Sequence, residues 1–354
     1  MGTKFDKERI NRILIRSTNW IGDAIMTTPT VRAIRKNFPE AFISLLAKPW
    51  VAPVFKNNPY IDNILIYDEA DKHRGNLGKL RLSKDLKKNS FDLAILLQNA
   101  FEAALITFWA RIPIRIGFNR DARRLLLTHP VPCTNEIKKV HQTKYYLGIL
   151  EGVELKTDGT ELDLNIKTEE DIEAENILKQ YGINSYDKII GINPGATYGT
   201  AKRWFYERYA EVSKRLIDSF GVWVLVFGSP KEIDLGEQIC RSVGNRSINL
   251  CGKTDLSNAI AIINRCNLFI TNDSGLMHIA AALNIPQIAI FGSTDHITTA
   301  PASTKSQIIK IETPCSPCLK PDCPKEHHKC MKNITTDMVY DSAKIKLTFY
   351  NIKT

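Results

Sequence analysis

The stretch TNDSGLMHIAAAL at residues 271–283 lies between two short apolar runs, residues 268–270 and 287–291. Its first residues are polar, and apolar side chains then recur with helical spacing, so the pattern predicts a strand, a turn, a short helix and a second strand. Asp273 or Ser274 can cap the helix, and the turn follows the carboxyl end of its strand. Open parallel sheets bind anions at such turns, because a helix N-terminus offers unpaired N–H groups and a positive dipole end.

Apolar runs and helical patterns alternate through the rest of the chain, which predicts parallel sheets covered by helices on both faces. The strands expected in the first half cover residues 12–16, 42–47, 63–67, 93–97 and 114–117. Those expected in the second half cover residues 188–193, 222–227, 247–250, 268–270 and 287–291. The expected fold class is therefore α/β, with two facing, doubly wound, Rossmann-like parallel-sheet domains and a central cleft.

A linker at residues 152–168 sets the expected domain boundary, so the two domains cover residues 1–165 and 166–354. A last helix is predicted at residues 336–349, and the segment 335–354 is a candidate to pack back on the first domain. Near the N-terminus, a helix is predicted from about Ala24 to Asn37. Pro29 fits that helix if the first turn is irregular and regular helix begins near Thr28.

Composition and charge indicate a globular protein with one strongly basic half. Hydrophobic residues make up 44% and charged residues 24% of the 354. Residues 1–160 carry 26 Lys and Arg against 16 Asp and Glu, whereas residues 161–354 carry 22 of each. A basic half can attract nucleic acid, an anionic membrane surface or an acidic glycolipid, although solubility is a simpler explanation. A polar N-terminus and eight cysteines indicate a reducing, cytoplasmic location without a signal peptide.

Three motifs stand at predicted strand ends: NWIGD at residues 19–23, NPGA at 193–196 with AKRW at 201–204, and TNDSG at 271–275 with His278. Together they resemble glycosyltransferase family 9, the bacterial ADP-heptose:lipopolysaccharide heptosyltransferases, over most of the chain. The form of the motifs is most similar to the branch that adds the second heptose of the inner core. The resemblance implies the GT-B fold and an inverting transfer from ADP-heptose that requires no catalytic metal.

Asp23 is the candidate catalytic residue. Inverting sugar transfer needs a base that takes the acceptor hydroxyl proton while the anomeric carbon gains positive character. Asp23 follows the first predicted strand, where the cleft is expected, and the resemblance makes it the family's catalytic aspartate. The alternative is that Asp23 only caps the helix that begins at Ala24, which would lower its pKa and weaken it as a base.

Lys202 is the main donor-binding candidate, because a cation before a helix can neutralise diphosphate charge while backbone N–H groups hold its oxygens. Gly195 permits close backbone approach to a ligand. Gly228, Lys231 and Glu232 follow the next strand and are candidates for the ribose or adenine. For Lys202 a surface lysine, and for His278 a core histidine, are the alternatives. The predicted donor-binding residues are Asn193, Pro194, Gly195, Ala196, Lys202, Gly228, Glu232, Asp273, Ser274, Gly275 and His278.

Arginines in the first half are the acceptor candidates, because guanidinium groups bind carboxylates and phosphates through paired hydrogen bonds. The predicted acceptor-binding residues are Arg120, Arg123 and Arg124, which follow Arg111 and Arg115. The inner core that the resemblance implies as acceptor carries both kinds of anionic group. The alternative for any one of them is a solvated loop with structural ion pairs.

Four cysteines near the C-terminus have the compact spacing C-x2-C-x4-C-x6-C, with His327 and His328 nearby. Cys315, Cys318, Cys323 and Cys330 are therefore candidate ligands of a structural zinc ion. Reduced structural thiols or a redox-formed disulfide are equally consistent with the spacing.

One alternative is another heptosyltransferase of family 9 with a different acceptor, and two functions of other kinds also compete. A zinc-knuckle-like tail beside a basic domain is typical of a nucleic-acid-binding protein, but the excess charge lies far in sequence from the cysteines and no aromatic residues are interleaved with them. A GT-B-like nucleotide-sugar epimerase would use a donor without any lipid acceptor. We expect instead an ADP-heptose enzyme without a nucleic-acid partner, peripheral on the inner face of the inner membrane, whose acceptor is the anionic lipopolysaccharide inner core.

Overall fold

The computed structural model describes residues 5–349, and the chain divides after Leu164 into two compact units. Each unit has a six-stranded sheet in which every neighbouring pair of strands is parallel. Among the helices of residues 5–349, none is both long and apolar enough to cross a membrane.

The first unit has its strands in the order β3-β2-β1-β4-β5-β6. These strands are β1 (Arg12–Arg16), β2 (Phe42–Ala47), β3 (Asn63–Ile66), β4 (Leu93–Leu96), β5 (Ile114–Phe118) and β6 (His129–Val131). Its helices are α1 (Ile21–Met26), α2 (Thr28–Asn37), α3 (Gly75–Lys88), α4 (Phe101–Trp109) and α5 (Gln142–Glu151). Strand order reverses between β1 and β4, so the loops that follow these two strands flank the switch point where doubly wound sheets bind ligands.

The second unit repeats this topology with the order β12-β11-β10-β7-β8-β9. Its strands are β7 (Ile189–Asn193), β8 (Trp223–Val226), β9 (Ser247–Asn249), β10 (Leu268–Asn272), β11 (Gln287–Phe291) and β12 (Ser306–Lys310). Its helices are α6 (Thr168–Gln180), α7 (Tyr206–Phe220), α8 (Ile233–Val243), α9 (Leu256–Asn264), α10 (Gly275–Ala282), α11 (His296–Thr299), α12 (Lys329–Lys332) and α13 (Thr336–Phe349). Here the switch point lies between β7 and β10.

The segment β10-α10-β11 has the strand–turn–helix–strand form predicted from residues 268–291. Ser274 is the N-cap of α10, and its hydroxyl accepts a hydrogen bond from the N–H of Met277. Asp273 is thereby available for another partner. Thr271 of β10 is in register with Asn193 of β7, so the loops that follow the two strands begin side by side.

The chain near Pro29 forms two helices in place of the single helix expected over residues 24–37. Helix α1 ends at Met26, and α2 begins at Thr28 with Pro29 in its first turn. The missing N–H of a proline costs nothing there, because the first N–H groups of a helix have no partner within it. Since α1 begins at Ile21, Asp23 lies inside a helix rather than before one.

Helix α13 packs on α7 and on the strands β10, β11 and β12 of the second unit. Val339, Ala343 and Leu347 are fully or almost fully buried in that contact. For the described part of the segment 335–354, these packing partners belong to its own unit, and packing on the first domain stays a prediction.

Candidate active site

Two asparagines join the loops at the second switch point. Asn193, at the end of β7, donates to the carbonyl of Phe227 at 2.9 Å and accepts from the Ser274 hydroxyl at 2.7 Å. Asn272, at the end of β10, donates to the carbonyl of Pro194 at 2.7 Å. Both side chains are buried, so each hydrogen bond is protected from water. The loop after β7 and the turn after β10 thus form one fixed framework.

Lys202 and Asp273 meet on this framework. Lys202 ends the short 3-10 helix Thr200–Lys202, and its Nζ lies 2.9 Å from Oδ2 of Asp273. The Lys202 side chain is 16% exposed and the Asp273 side chain 7%. The two residues are 71 positions apart in sequence. Their ion pair fixes a cation beside the N-terminus of α10, which is an arrangement suited to an anionic ligand.

Glu232 approaches the same loop from the strand end of β8. Its Oε2 accepts from the N–H and the hydroxyl of Ser229, at 2.7 and 2.9 Å. A Cβ atom on Gly195 would lie 1.7 Å from Glu232 Oε1, so the backbone and the carboxylate can be this close only with glycine at this position. Gly228 has a similar constraint, since its Cβ would lie 2.8 Å from the sulfur of Cys251.

The remaining donor candidates vary in exposure. Pro194 and Ala196 are buried in the loop that follows β7, and Gly275 is half-buried at the start of α10. His278 is 3% exposed within α10, so most of its ring surface is covered by protein. A direct contact between His278 and a donor stays a prediction.

In the first unit, Asp23 occupies the first turn of α1, directly after the loop that follows β1. The N-cap of this helix is Trp20, so the alternative that Asp23 is the N-cap is wrong. Tyr146 of α5, itself 4% exposed, donates a hydrogen bond to Asp23. Burial, the nearby charge of Asp23 and this hydrogen bond raise the pKa of Tyr146 well above its ordinary value, so the phenol stays a donor.

A basic cluster beside Asn19 was not predicted. Arg16, the last residue of β1, donates to Oδ1 of Asn19 at 2.8 Å, and burial lowers the pKa of Arg16 to about 10. Lys48, just after β2, lies 3.5 Å from the ring centroid of Tyr67 and pairs with Glu69. Both cations are 2% exposed. A polar residue at the carboxyl end of a buried strand is the sequence signal that identifies them.

The three predicted acceptor arginines have different environments. Arg123 is fully buried, and it donates to the carbonyls of Phe118 and Gln98 and to the side chain of Asn99. Its assignment as an acceptor ligand is therefore wrong, because every face of the guanidinium is occupied by protein. Arg120 and Arg124 are exposed, and Arg120 also pairs with Asp121 at 3.5 Å.

The four clustered cysteines line one pocket together with His327 and His328. Cys315 Sγ lies 3.9 Å from His327 Nε2, and all of the cysteines are free thiols. Across residues 5–349, however, no three Cys, His, Asp or Glu side chains are arranged to hold a metal ion. Cys330 packs into the core of the second unit, and burial, followed by the charges of Cys315, Cys318 and Cys323, raises its pKa. Zinc binding by the four cysteines stays a prediction.

The cysteine segment supports the loop that carries Lys202. The N–H of Ala201 donates to the carbonyl of Pro321 at 2.9 Å, and the Thr200 hydroxyl donates to Asp322 at 2.6 Å. A Cβ on Gly199 would lie 2.1 Å from the Pro321 oxygen, so the two backbones are in close contact. These contacts hold the 3-10 helix Thr200–Lys202 in place.

Comparison with known proteins agrees with the three motifs. The model of the family described as "Glycosyltransferase family 9 (heptosyltransferase)" matches residues 79–329. Lipopolysaccharide heptosyltransferase 2 of Escherichia coli is 30% identical, with 93% of this chain and 97% of that protein covered. Lipooligosaccharide heptosyltransferase 2 of Haemophilus influenzae is 32% identical, with the same coverage. The structure of the E. coli ADP-heptose LPS heptosyltransferase II is similar with a TM-score of 0.83 and 28% identity, over 96% of this chain and 99% of that one.

Proposed function

The chain belongs to glycosyltransferase family 9, the heptosyltransferase family, and on this basis we propose that it transfers heptose from ADP-heptose to the heptose of the lipopolysaccharide inner core. It is a glycosyltransferase with the GT-B fold, and its relatives are named for heptose transfer in core biosynthesis. The observation that carries the proposal is the joining of the NPGA and TNDSG loops, with Lys202 paired to Asp273, at the switch point of the second sheet.

The second unit is the proposed donor site. Lys202 and the N–H groups at the start of α10 supply positive charge and hydrogen bonds for the diphosphate. Negative charge on the diphosphate grows as the sugar departs, so these groups stabilise the transition state more than the bound donor. Asp273 orients Lys202 through the 2.9 Å ion pair. Glu232, beside the loop at Gly195, is the proposed partner of the ribose or adenine.

The first unit is the proposed acceptor site, with Asp23 as general base. The carboxylate takes the proton of the acceptor hydroxyl while the hydroxyl oxygen bonds to the anomeric carbon. The bond between that carbon and the diphosphate oxygen breaks, ADP leaves, and the configuration inverts. Tyr146 donates to Asp23 and so holds the carboxylate in one orientation. Arg120 and Arg124 are exposed and suited to the anionic groups of the core.

The location and partners follow from the same chemistry. A lipid-linked, anionic acceptor and a nucleotide-sugar donor meet at the inner face of the inner membrane, so we place the protein there as a peripheral, cytoplasmic enzyme. Family membership argues against the nucleic-acid-binding alternative, and the excess positive charge of residues 1–160 suits an anionic glycolipid.

Mass spectrometry of the products tests the proposal. The protein is incubated with ADP-heptose and with lipid A core that either carries or lacks the first heptose. We expect a product heavier by one heptose from the heptose-bearing acceptor alone. Transfer to the heptose-free core would assign a different acceptor, and donor turnover without any acceptor would identify an epimerase.

A further inference from the structure

The outward face of helix α4 is apolar. Phe101, Phe108 and Trp109 are 44%, 46% and 37% exposed, and Leu105 between them is half-buried. These four residues recur at the spacing of one helix face. The opposite face of α4 packs into the core of the first unit. The outward face of an ordinary surface helix is polar. In α4 the outward face is as apolar as the face that packs in the core.

The charge of α4 does not reach this face. Glu102 is the one ionisable residue of the helix, and it accepts from Tyr67 at 2.7 Å and pairs with Lys79 at 2.6 Å. Lys79 belongs to α3, which packs beside α4. The carboxylate is thus neutralised on the side of α3, and the outward stripe carries no charge of its own.

Apolar side chains continue onto the two neighbouring elements. Leu77 and Leu80 of α3 are 79% and 38% exposed. Leu125, in the 3-10 helix Arg124–Leu126 that packs against α4, is 92% exposed. Isolated exposed leucines are common, but a group spread over three packed elements marks an interaction surface.

Basic residues border this surface. Arg81 and Lys84 of α3, Arg111 after α4 and Arg124 beside Leu125 are all exposed. The guanidinium of Arg115 lies 5.4 Å from the ring centroid of Phe108. The nearby carboxylate of Asp85 is already paired with Lys72 and Lys88, each at 3.1 Å. The border is therefore positive around an aromatic and aliphatic centre.

We propose that the surface formed by α3, α4 and Arg124–Leu126 docks the protein on an anionic phospholipid bilayer. Aromatic and aliphatic side chains enter the boundary between headgroups and acyl chains, while Lys and Arg contact anionic headgroups. The charge of the border favours a lipid surface over a second copy of this basic domain. The inference rests on the proposed function, since a lipid-linked acceptor requires approach to a membrane.

Vesicle binding by a double variant tests the docking surface. Phe108→Gln/Leu125→Gln is compared with Tyr186→Gln/Ile297→Gln, which changes two residues of the second unit that are 83% and 63% exposed. Cosedimentation uses vesicles of equimolar phosphatidylglycerol and phosphatidylcholine, with vesicles of phosphatidylcholine alone for comparison. We expect the first variant to bind the anionic vesicles roughly 100-fold more weakly, because each of the two side chains that no longer enters the bilayer changes the binding constant by about tenfold. The control pair should bind like the wild type, and added salt should weaken its binding.

Equal vesicle binding by the two variants would overturn the proposal. It would also be overturned if light scattering showed that the wild type and the control variant are dimers and that Phe108→Gln/Leu125→Gln is a monomer. Transfer to a water-soluble, deacylated core separates this result from the proposed function. The Phe108→Gln/Leu125→Gln protein should retain transfer to that acceptor and lose transfer to lipid A core in vesicles. A wild-type protein that binds the anionic vesicles but transfers no heptose to either acceptor would leave docking intact and reject the proposed function.

Discussion

Replacing Lys202 by alanine separates the structural role of the ion pair from its role toward the donor. The substitution leaves the carboxylate of Asp273, whose side chain is 7% exposed, without the cation that lies 2.9 Å away. Breaking a buried pair on one side costs about 3–5 kcal/mol, because the remaining charge is desolvated and uncompensated. We expect the unfolding midpoint of the second domain to fall by roughly 10 °C.

The donor affinity of Lys202→Ala should fall as well. A hydrogen bond to a charged group contributes about 1.5–3 kcal/mol, which corresponds to roughly 10- to 100-fold weaker binding of ADP-heptose by titration calorimetry. The double variant Lys202→Ala/Asp273→Asn should recover most of the stability, since the amide carries no charge, but none of the affinity. A single variant that unfolds like the wild type, or a double variant that binds ADP-heptose as tightly as Asp273→Asn, would refute the reasoning.

The remaining predictions concern the acceptor side and the buried thiols. Arg120→Ala/Arg124→Ala should raise the KM for lipid acceptor at low salt and leave ADP-heptose affinity unchanged, whereas coinciding kinetics would remove both residues from the acceptor site. Arg123→Ala should instead lower the unfolding free energy by about 3 kcal/mol or more, because three buried acceptors lose their donor, and a stable variant would contradict this. Burial raises the pKa of Cys251 from an ordinary 9.0 to about 12, so the stability that its protonated thiol provides is complete below pH 9 and is lost as pH rises toward 12. Urea unfolding at pH 10 should show a loss of about 1 kcal/mol attributable to this thiol. The loss should be absent from Cys251→Ala, and equal pH slopes for the two proteins would be the contrary result.

The positions of the site loops follow from the sequence. Buried strands are encoded as short apolar runs that end in polar or glycine-containing turns, as at Asn193 and Asn272. Parallel strands align their carboxyl ends at one sheet edge, so motifs that follow different strands come together. This is why Lys202 and Asp273 could both be assigned to one site although they are 71 residues apart.

The two outer strands β6 and β12 were missed. Their side chains are only partly buried, and β6 contains Pro130, so neither has the apolar run of an interior strand. Each of these strands forms by pairing with the edge of its neighbour: β6 pairs with β5, and β12 pairs with β11. Pairing of this kind is set by tertiary structure and leaves little local signal.

The sequence also could not show which of two neighbouring arginines is buried. Arg123 is buried and Arg124 is exposed because the carbonyl of Gln98, 25 residues earlier, accepts from Arg123. The spacing of the cysteines likewise gave no sign that Cys330 packs in the core of the second unit. In both cases the deciding contact comes from a distant part of the chain.

The most direct test of the mechanism compares turnover and donor affinity in Asp23→Asn. Asparagine keeps the size of the side chain and its position in α1 but cannot accept the acceptor proton. We predict that transfer falls by about 10²- to 10⁴-fold, while the affinity for ADP-heptose measured by titration calorimetry is unchanged. Turnover near that of the wild type would show that Asp23 is not the base, and a parallel loss of donor affinity would contradict its assignment to the acceptor side.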